Sequence, residues 1–520
     1  MSGYLRRLAT TGAAYTAASV ISKLIAVALL PLYTRHLTAD DYGLAEVMFA
    51  AVVTASIVVR FGLIEAVLRF YYRDDEQPRA VLASSFAALF WLSTVAALIA
   101  LPFAEPIGEA LLNPEKATEL ATATELARIS IAGLWVLTMS EFLLTLFRLE
   151  ERARAYFVTT ILNVLGTIAL TVVLVVGNGE GPRGLLLGSY GAGAATVLVL
   201  IAINWRRLSL RFDRALLRRM FRFGLPTMPA EVSLYALNFA DRLIILRSVG
   251  AAEAGLYSLA VKFAQAINVL VRGFQLAWPP LAYSIRDDDE ARGFYARVVT
   301  LFVAGCAFLV TGMWLFSRWI ARLLTTPEFF ASYEAVGLIS TAVTLYALYL
   351  VLVVILGRTG RTEFNLPATL TALVVNIALN LALVPTMGIV GAGLALVASY
   401  LVVLALMYVF TQRLFPVPYE WGRLTRIVLV SAALVGVGEL VMPTSGAGGF
   451  LGRAALLAAY PLALHLGRFF TPAERTWIAR LRHPSAVAAE LRALRAEPAA
   501  VDGYVPEVYE AERQDEDRRL

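Results

Sequence analysis

The sequence predicts an all-α polytopic membrane protein with about 14 transmembrane helices, arranged as two pseudo-symmetric six-helix lobes plus two C-terminal helices. Hydrophobic residues make up 59% of the 520 residues and charged residues only 16%, against about 45–50% and about 25% in soluble domains. Apolar runs of about 20 residues, the length that crosses a hydrocarbon core, recur along the chain. Runs such as 156–176 lack the alternation of a membrane β-strand. A soluble enzyme, a disordered protein and a secreted disulfide scaffold are therefore excluded, and Cys306 alone cannot form an intramolecular disulfide.

A hydropathy window of about 19 residues places the spans in chain order. The N-terminal lobe, residues 1–210, holds spans near 12–32, 43–64, 80–103, 122–146, 156–176 and 184–204. The C-terminal lobe, residues 211–412, holds spans near 225–246, 255–276, 296–317, 333–356, 365–384 and 389–410. Two more spans, near 424–442 and 449–469, occupy residues 413–469, and residues 470–520 form a polar tail. The first run is too long for a cleavable signal peptide and carries Lys23 in its middle, so we expect none.

The arginines and lysines of the loops orient these spans. They concentrate in alternate loops, above all in the segment 206–222, which holds seven arginines. The loop 102–125 has five glutamates against Lys116 alone, as an outer loop can have. The excess of positive charge on the cytoplasmic side of membrane proteins predicts that both termini are cytoplasmic. The same placement accounts for the net charge of +6 without a nucleic-acid surface, because no basic groove is interleaved with aromatic residues.

The tail begins with a helix-start signature. Thr471, Pro472 and Glu474 form a capping box with proline at the first helical position. Apolar residues follow at helical spacing. We expect one or two short helices at the inner membrane face, and a solvated tail without a task is the alternative.

An internal repeat appears when the chain is slid on itself by 212 residues, so that 6–64 falls on 218–276. Matched pairs include Arg6/Arg218, Arg7/Arg219, Ala39/Ala251, Gly43/Gly255, Leu44/Leu256 and Arg60/Arg272. An even number of spans precedes each copy. The halves are therefore parallel in topology, and we expect an axis along the membrane normal with a central cavity between them.

The sequence contains no pattern typical of catalysis, so we expect a protein that is not an enzyme. His36, His465 and His483 are scattered and do not have the spacing of a metal site. There is no phosphate-binding loop of the nucleotide-hydrolysing kind. Gly391 and Gly393 have no surrounding βαβ unit, and close helix packing explains them better.

Charged residues inside the spans are the candidates for a transport pathway, because burying an ionisable group costs several kcal/mol. Cationic candidates for the cavity are Lys23, Arg60, Arg242, Lys262 and Arg272; Asp241, Glu141 and Glu439 are candidates for ion or proton coupling or for structural pairs. A cationic cavity favours an anion, and guanidinium groups bind phosphate through paired hydrogen bonds. The topology places Arg60 and Arg272 near the cytoplasmic mouth, Lys23 near mid-depth, and Arg242 with Lys262 towards the periplasm.

Other interpretations of these charges stay open. Arg60 and Arg272 could extend to the inner headgroups. Asp241 and Arg242 could form a structural ion pair. Glu141 and Glu439 could form structural pairs or carry protons.

The segment 224–263 resembles the polysaccharide-biosynthesis flippases of the MOP superfamily. In that family the seventh span begins Gly-x-Pro, carries Asp-Arg near its outer end and leads through a Gly-Ala turn to Gly-x-Tyr-Ser. This chain shows Gly224, Pro226, Asp241, Arg242, Gly250, Ala251, Gly255, Tyr257 and Ser258. The segments 31–47 and 388–396 are similar to the family's first turn and to the start of its twelfth span.

The resemblance implies two six-helix lobes, alternating access and transfer of an undecaprenyl-pyrophosphate-linked oligosaccharide, such as an O-antigen, capsule or exopolysaccharide repeat unit. The implied location is the bacterial inner membrane. The implied partners are the lipid-linked oligosaccharide, membrane lipids and polysaccharide polymerase or export machinery, without nucleic acid. No cofactor is expected, and coupling to Na⁺ or H⁺ is left open.

Two other functions stay open: a cation or drug exporter of the related MATE branch, and a lipid II flippase. An exporter of cations should have a net acidic cavity and twelve spans. About fourteen spans and a cationic interior favour the glycan flippase.

Overall fold

The computed structural model describes residues 27–72, 77–150, 152–285 and 287–472, together with residues 21, 25 and 474. All regular secondary structure in these ranges is helical, which confirms the predicted fold class. The first eight α-helices are α1 Leu30–His36, α2 Ala39–Arg60, α3 Leu63–Phe70, α4 Pro78–Ala100, α5 Ala104–Leu112, α6 Ala117–Leu149, α7 Ala153–Thr171 and α8 Gly181–Asn204. The other nine are α9 Arg214–Gly224, α10 Met228–Ser248, α11 Ala251–Ala264, α12 Asn268–Ser284, α13 Asp288–Leu324, α14 Tyr333–Arg358, α15 Asn365–Leu414, α16 Trp421–Leu440 and α17 Gly446–Leu466.

Each predicted span after the first coincides with one of these helices or with a consecutive pair. Most of the first span, with Lys23, lies outside the described residues. In the described ranges, nine helices are long and apolar enough to cross a membrane, so the chain is a multi-pass membrane protein. The count of fourteen spans stays a prediction. One reason for the difference is α10, where Glu231, Asp241, Arg242 and Arg247 lower the hydropathy.

Several of the long helices are interrupted where the backbone leaves helical geometry. Phe61 and Gly62 both have positive φ values, 49° and 69°, and separate α2 from α3. A short 3₁₀ turn, Gln265–Ile267, separates α11 from α12. Within α15, Gly388 has φ 53°, a region that favours glycine. This break divides α15 into the two predicted spans 365–384 and 389–410.

The two ends of the helix bundle are named here after their residues. The Thr38 end holds residues 34–39, 249–251, 326–332 and 385–389, and the Arg60 end holds residues 60–72, 205–227, 272–288 and 358–365. Two hydrogen bonds link distant loops at the Thr38 end: Thr326 Oγ1 donates to the Thr34 carbonyl at 2.9 Å, and the Ala39 amide donates to Glu328 Oε1 at 2.7 Å.

Helices α2 and α11, one from each copy of the repeat, pack against each other and both begin at the Thr38 end. A Cβ atom on Gly43 would overlap the carbonyl of Ala251, and a Cβ atom on Gly255 would overlap the carbonyl of Ala39. These four residues are two of the matched pairs at offset 212. Such a reciprocal contact is what a two-fold axis between parallel repeats produces, so the geometry agrees with the predicted repeat.

The halves separate towards the Arg60 end. Helix α12, which continues α11, packs on α13 and α14 rather than on α2. Arg272 on α12 and Tyr235 on α10 are exposed as a result. The bundle is therefore closed at the Thr38 end and opens at the Arg60 end.

The last two helices, α16 and α17, pack on α13. A small apolar core of Ile427, Tyr460, Leu464 and Phe469 joins them. The predicted capping box at the start of the tail is confirmed: the Thr471 amide donates to Glu474 Oε2 at 2.8 Å, and the Glu474 amide donates to Thr471 Oγ1 at 3.3 Å. The remainder of the tail, including the predicted helices, lies outside the described residues.

Glu474 also binds a buried arginine. Arg423 of α16 donates to both carboxylate oxygens of Glu474, at 2.9 and 2.8 Å, and to both oxygens of Glu420. Burial raises the pKa of Glu474, but the Thr471 amide and the Arg423 guanidinium outweigh it, and the net pKa lies below the usual range. The carboxylate is therefore charged at neutral pH and ties the start of the tail to α16.

Candidate functional site

Charged and aromatic side chains from both halves face one another where the bundle opens. We call this group the vestibule; it consists of Arg60, Glu65, Glu141, Glu231, Tyr235, Arg272 and Tyr346. Glu231 interacts electrostatically with Glu65, Arg60 and Glu141. Tyr235 interacts with both arginines, and Arg272 also with Tyr346. The side chains of the three glutamates and of Arg60 are half-buried, so the space between them is open to water.

Arg60 and Arg272 both lie near Tyr235 of α10, on which they act electrostatically. Arg60 is the last residue of α2, and its Nε donates to the Ser56 carbonyl at 3.1 Å. Their role in binding the substrate stays a prediction, as does their extension to the lipid headgroups.

The vestibule also contains three glutamates, Glu65, Glu141 and Glu231, which lie with the two arginines. Glu141 was a candidate from the sequence, whereas Glu65 and Glu231 were missed. The described part of the interior is thus mixed in charge, and the expected cationic excess is not present there. Glu231 lies in the first turn of α10. An acid at that position is ordinarily explained by the helix dipole, so the sequence did not mark Glu231 as a functional residue.

Lys262 is paired across the halves. Its Nζ lies 2.5 Å from Glu46 Oε1 and 4.7 Å from the centre of the Tyr42 ring. Glu46 is buried on α2, within the predicted span 43–64, and an acid inside a span is itself the signal that could have identified it. Lys262, one of the cations predicted for the cavity, is therefore balanced by a carboxylate of the other half, and its role in binding the substrate stays a prediction.

Asp241 and Arg242 bind different partners and do not form the ion pair considered from the sequence. Asp241 is fully buried and accepts hydrogen bonds from Tyr257 Oη at 2.7 Å and Asn380 Nδ2 at 2.8 Å. Arg242 donates from Nε to Ser258 Oγ and from Nη1 to the Asn238 carbonyl, both at 2.9 Å. Tyr257 follows Asp241 by 16 positions, and Ser258 follows Arg242 by 16 positions. Each of them binds one member of the Asp-Arg pair, so the two charges are held apart.

Two buried asparagines complete the surroundings of Asp241. Asn376 and Asn380 lie one turn apart on α15, and Asn376 faces Asp241. In the described residues, neither Asn376 Nδ2, Asn376 Oδ1 nor Asn380 Oδ1 has a hydrogen-bond partner. Buried amides without partners are rare. The carboxylate and the amide oxygens together are the ligands that a hard cation such as Na⁺ prefers.

The remaining two acids, Glu141 and Glu439, lie at opposite ends of the bundle, and each lies beside an arginine. Glu141 Oε1 lies 3.4 Å from Arg148 Nη2 and faces the vestibule. Glu439 Oε1 lies 2.5 Å from Arg453 Nη1, and Glu439 Oε2 lies 3.6 Å from Arg318 Nη2. These contacts join α16, α17 and α13, which gives Glu439 a structural environment.

The first half of the chain matches the model of a known family. Residues 8–286 match the family described as polysaccharide biosynthesis protein. A curated relative, the succinoglycan biosynthesis transport protein ExoT of Rhizobium meliloti (strain 1021), is 24% identical over 318 residues. That match covers 60% of this chain and spans about 61% of the length of the relative.

Two solved structures share the fold. The lipid II flippase MurJ in an inward closed conformation is 13% identical, with a TM-score of 0.68, and the match covers 87% of this chain and 98% of that one. A multidrug resistance MATE family transporter of the MOP superfamily, in an inward-facing conformation, is 17% identical with a TM-score of 0.62, covering 78% and 96%. At these identities the likeness concerns the fold of membrane transporters.

Proposed function

This chain belongs to the polysaccharide biosynthesis protein family, and from that premise we propose that it is a flippase for a lipid-linked oligosaccharide. The substrate class is an undecaprenyl-pyrophosphate-linked repeat unit, moved across the bacterial inner membrane by alternating access. The observation that carries the proposal is the vestibule, in which Arg60 and Arg272 from the two halves face the same open space. Two guanidinium groups that face one space can each bind one phosphate of a pyrophosphate.

In this proposal the Arg60 end is cytoplasmic, as the charges of the loops predict. The closed Thr38 end and the open Arg60 end then correspond to an inward-open carrier. The pyrophosphate enters at Arg60 and Arg272 and proceeds towards Lys23, while the lipid tail stays outside the polar interior, along α16 and α17. Rocking of the halves, which separates α2 from α11 at the Thr38 end, exposes the site to the periplasm.

The coupling ion is assigned to Asp241. Its oxygens, with those of Asn376 and Asn380, supply a buried set of ligands for Na⁺, and protonation of Asp241 is the alternative. Transfer to a polymerase or to export machinery on the periplasmic side completes the proposed route. No step in this route makes or breaks a covalent bond.

The proposal is tested by deleting the gene in its native bacterium and measuring two quantities. Lipid-linked oligosaccharide should accumulate in the inner leaflet, and the surface or secreted glycan should disappear. The full chain should restore both, and a variant with Arg60→Ala and Arg272→Ala should restore neither. Unchanged glycan and unchanged lipid-linked oligosaccharide in the deletion strain would overturn the proposal.

One observation favours a second function. Because three glutamates accompany two arginines in the vestibule, an exporter of organic cations is also compatible with its charge. In that case the deletion strain should become more sensitive to cationic drugs with no change in its glycans.

A further inference from the structure

A strongly basic segment lies between the last helix of the N-terminal half and the first long helix of the C-terminal half. We call residues 205–222 the basic strap. It contains seven arginines and one acid, Asp213. The other loops predicted to be cytoplasmic carry only two or three arginines or lysines each, which is enough to bias the orientation of the neighbouring spans. The strap therefore carries far more positive charge than its orienting role requires.

The strap is folded against the bundle at the Arg60 end. Asp213 caps α9 by accepting from the amides of Ala215 at 2.7 Å and Leu216 at 3.1 Å, and its own amide donates to Ser84 Oγ at 3.1 Å. Leu216, Leu217 and Met220 are buried against α3 and α4. The inner face of the strap is therefore fixed against the bundle, and its outer face is exposed.

That outer face is basic. Arg211, Arg214, Arg218 and Arg222 are exposed. Within the described residues, Arg214, Arg218 and Arg222 form no ion pair, whereas the neighbouring Arg207 binds Glu150 at 2.6 Å. Helix α9 thus presents on one side three charges that no carboxylate of the described residues binds.

Exposed apolar side chains flank these arginines. Trp205 is 65% exposed, and Leu210 and Phe212 are also exposed. Trp91 of α4, exposed as well, donates its indole N–H to the Leu210 carbonyl at 3.2 Å. Basic residues interleaved with Trp, Phe and Leu at the ends of membrane-spanning helices are typical of a surface that lies in the headgroup layer.

We propose that the basic strap is a binding site for anionic phospholipid headgroups. The guanidinium groups of Arg214, Arg218 and Arg222 bind the phosphates, and Trp205, Leu210 and Phe212 insert beside the acyl chains. Phosphate recognition by arginine accounts for the charges, and the exposed apolar groups favour a lipid over a soluble phosphate. This site is separate from the vestibule and does not depend on the substrate proposed above.

Helix α9, which carries part of the strap, also contacts the break between α2 and α3. Gly224 ends α9 two residues beyond the strap, and a Cβ atom on Gly224 or on Gly62 would overlap the carbonyl of the other glycine. Lipid bound to the strap would keep this contact at the membrane surface while the halves move.

The experiment uses the full chain in bilayers of phosphatidylcholine with a trace of spin-labelled lipid, and measures the motionally restricted fraction by electron paramagnetic resonance. Spin-labelled phosphatidylglycerol should be preferred over spin-labelled phosphatidylcholine. In the variant with Arg214→Gln, Arg218→Gln and Arg222→Gln, the preference for phosphatidylglycerol should be roughly tenfold weaker, since each basic residue contributes to the attraction. High salt should reduce the preference of the unaltered protein, and inorganic phosphate at equal ionic strength should have no additional effect.

A matched variant removes three exposed charges at the other end: Arg35→Gln, Lys116→Gln and Arg183→Gln. It should keep the preference for phosphatidylglycerol. Equal preference in the strap variant and the unaltered protein would overturn the inference, as would equal loss in the two variants. Because the readout is lipid binding, failure here leaves the flippase proposal untouched, and an inactive flippase leaves this result unchanged.

Discussion

Lys262 Nζ lies 2.5 Å from Glu46 Oε1, and this ion pair joins α11 in one half of the protein to α2 in the other. The pair lies one to two helical turns from the reciprocal contact of Gly43 and Gly255, because Glu46 follows Gly43 by three residues and Lys262 follows Gly255 by seven. Together they hold the Thr38 end closed. In the proposed alternating access that end has to open, so these two charges would separate in each cycle.

Weakening this pair should favour the conformation that is open at the Thr38 end. Glu46→Gln removes one charge, and a charge-assisted hydrogen bond contributes about 1.5–3 kcal/mol. The equilibrium should shift by about tenfold or more, because about 1.4 kcal/mol corresponds to tenfold. Spin labels at Lys116→Cys and Thr386→Cys, in a protein with Cys306→Ala, should report a longer distance. An unchanged distance distribution would show that the pair does not control closure.

Removal of either vestibule arginine should stop glycan export without preventing membrane insertion. Arg272→Ala or Arg60→Ala deletes a charge-assisted contact of about 1.5–3 kcal/mol, and we expect the same of Lys23→Ala. The control is Arg128→Ala, an exposed arginine on α6 outside the vestibule. Surface glycan is measured at native expression. Normal export by all three variants would contradict substrate binding by these charges and would indicate a structural role.

Neutralising Glu231 separates the two candidate functions. In a glycan flippase, Glu231→Gln removes a negative charge that would repel the pyrophosphate, so export should be retained or increased. In an exporter of cations the same change should abolish drug resistance. Glycan export and resistance to a cationic dye are measured in the same strain. Loss of glycan export in this variant would argue against pyrophosphate binding beside Glu231.

Sodium should stabilise the protein through Asp241. A ligand that binds only the folded state adds stability in proportion to the logarithm of its concentration. The melting temperature in detergent should therefore be higher in NaCl than in KCl, and Asp241→Asn should remove the difference. Thr371→Val, at an exposed position on the same helix α15, should keep it. Equal melting temperatures of the unaltered protein in both salts would leave H⁺ as the coupling ion.

The orientation is tested with reporter fusions. A reporter fused at Pro114, next to the Thr38 end, should be active only as a periplasmic reporter, and one fused at Leu520 only as a cytoplasmic reporter. The opposite pair of results would reverse the assignment of the vestibule to the cytoplasm.

The sequence predicted what depends on local pattern. Apolar runs located the helices, and the capping box of Thr471 and Glu474 was confirmed because such a motif is contained in four residues. The repeat at offset 212 identified Gly43 and Gly255 as equivalent, and the structure brings them together.

Contacts between distant residues could not be read in this way. Glu46 and Lys262 are 216 positions apart, and Asn380 reaches Asp241 across 139 positions. Charge counting placed Lys262 among the cations of the cavity without its partner Glu46, because nothing local marks that partner. Glu65 and Glu231 were missed for the same reason, since they meet Glu141 only when α10, α3 and α6 converge.

The ion pair between Arg423 and Glu474 limits how far the chain can be shortened from its C-terminal end. Arg423 is almost completely buried, and Glu474 supplies half of its carboxylate contacts. A protein cut before Glu474 would leave a buried guanidinium with Glu420 alone, beside the helices assigned to the lipid tail. A cut just beyond Glu474 would keep the ion pair, so tags and truncations are best placed there.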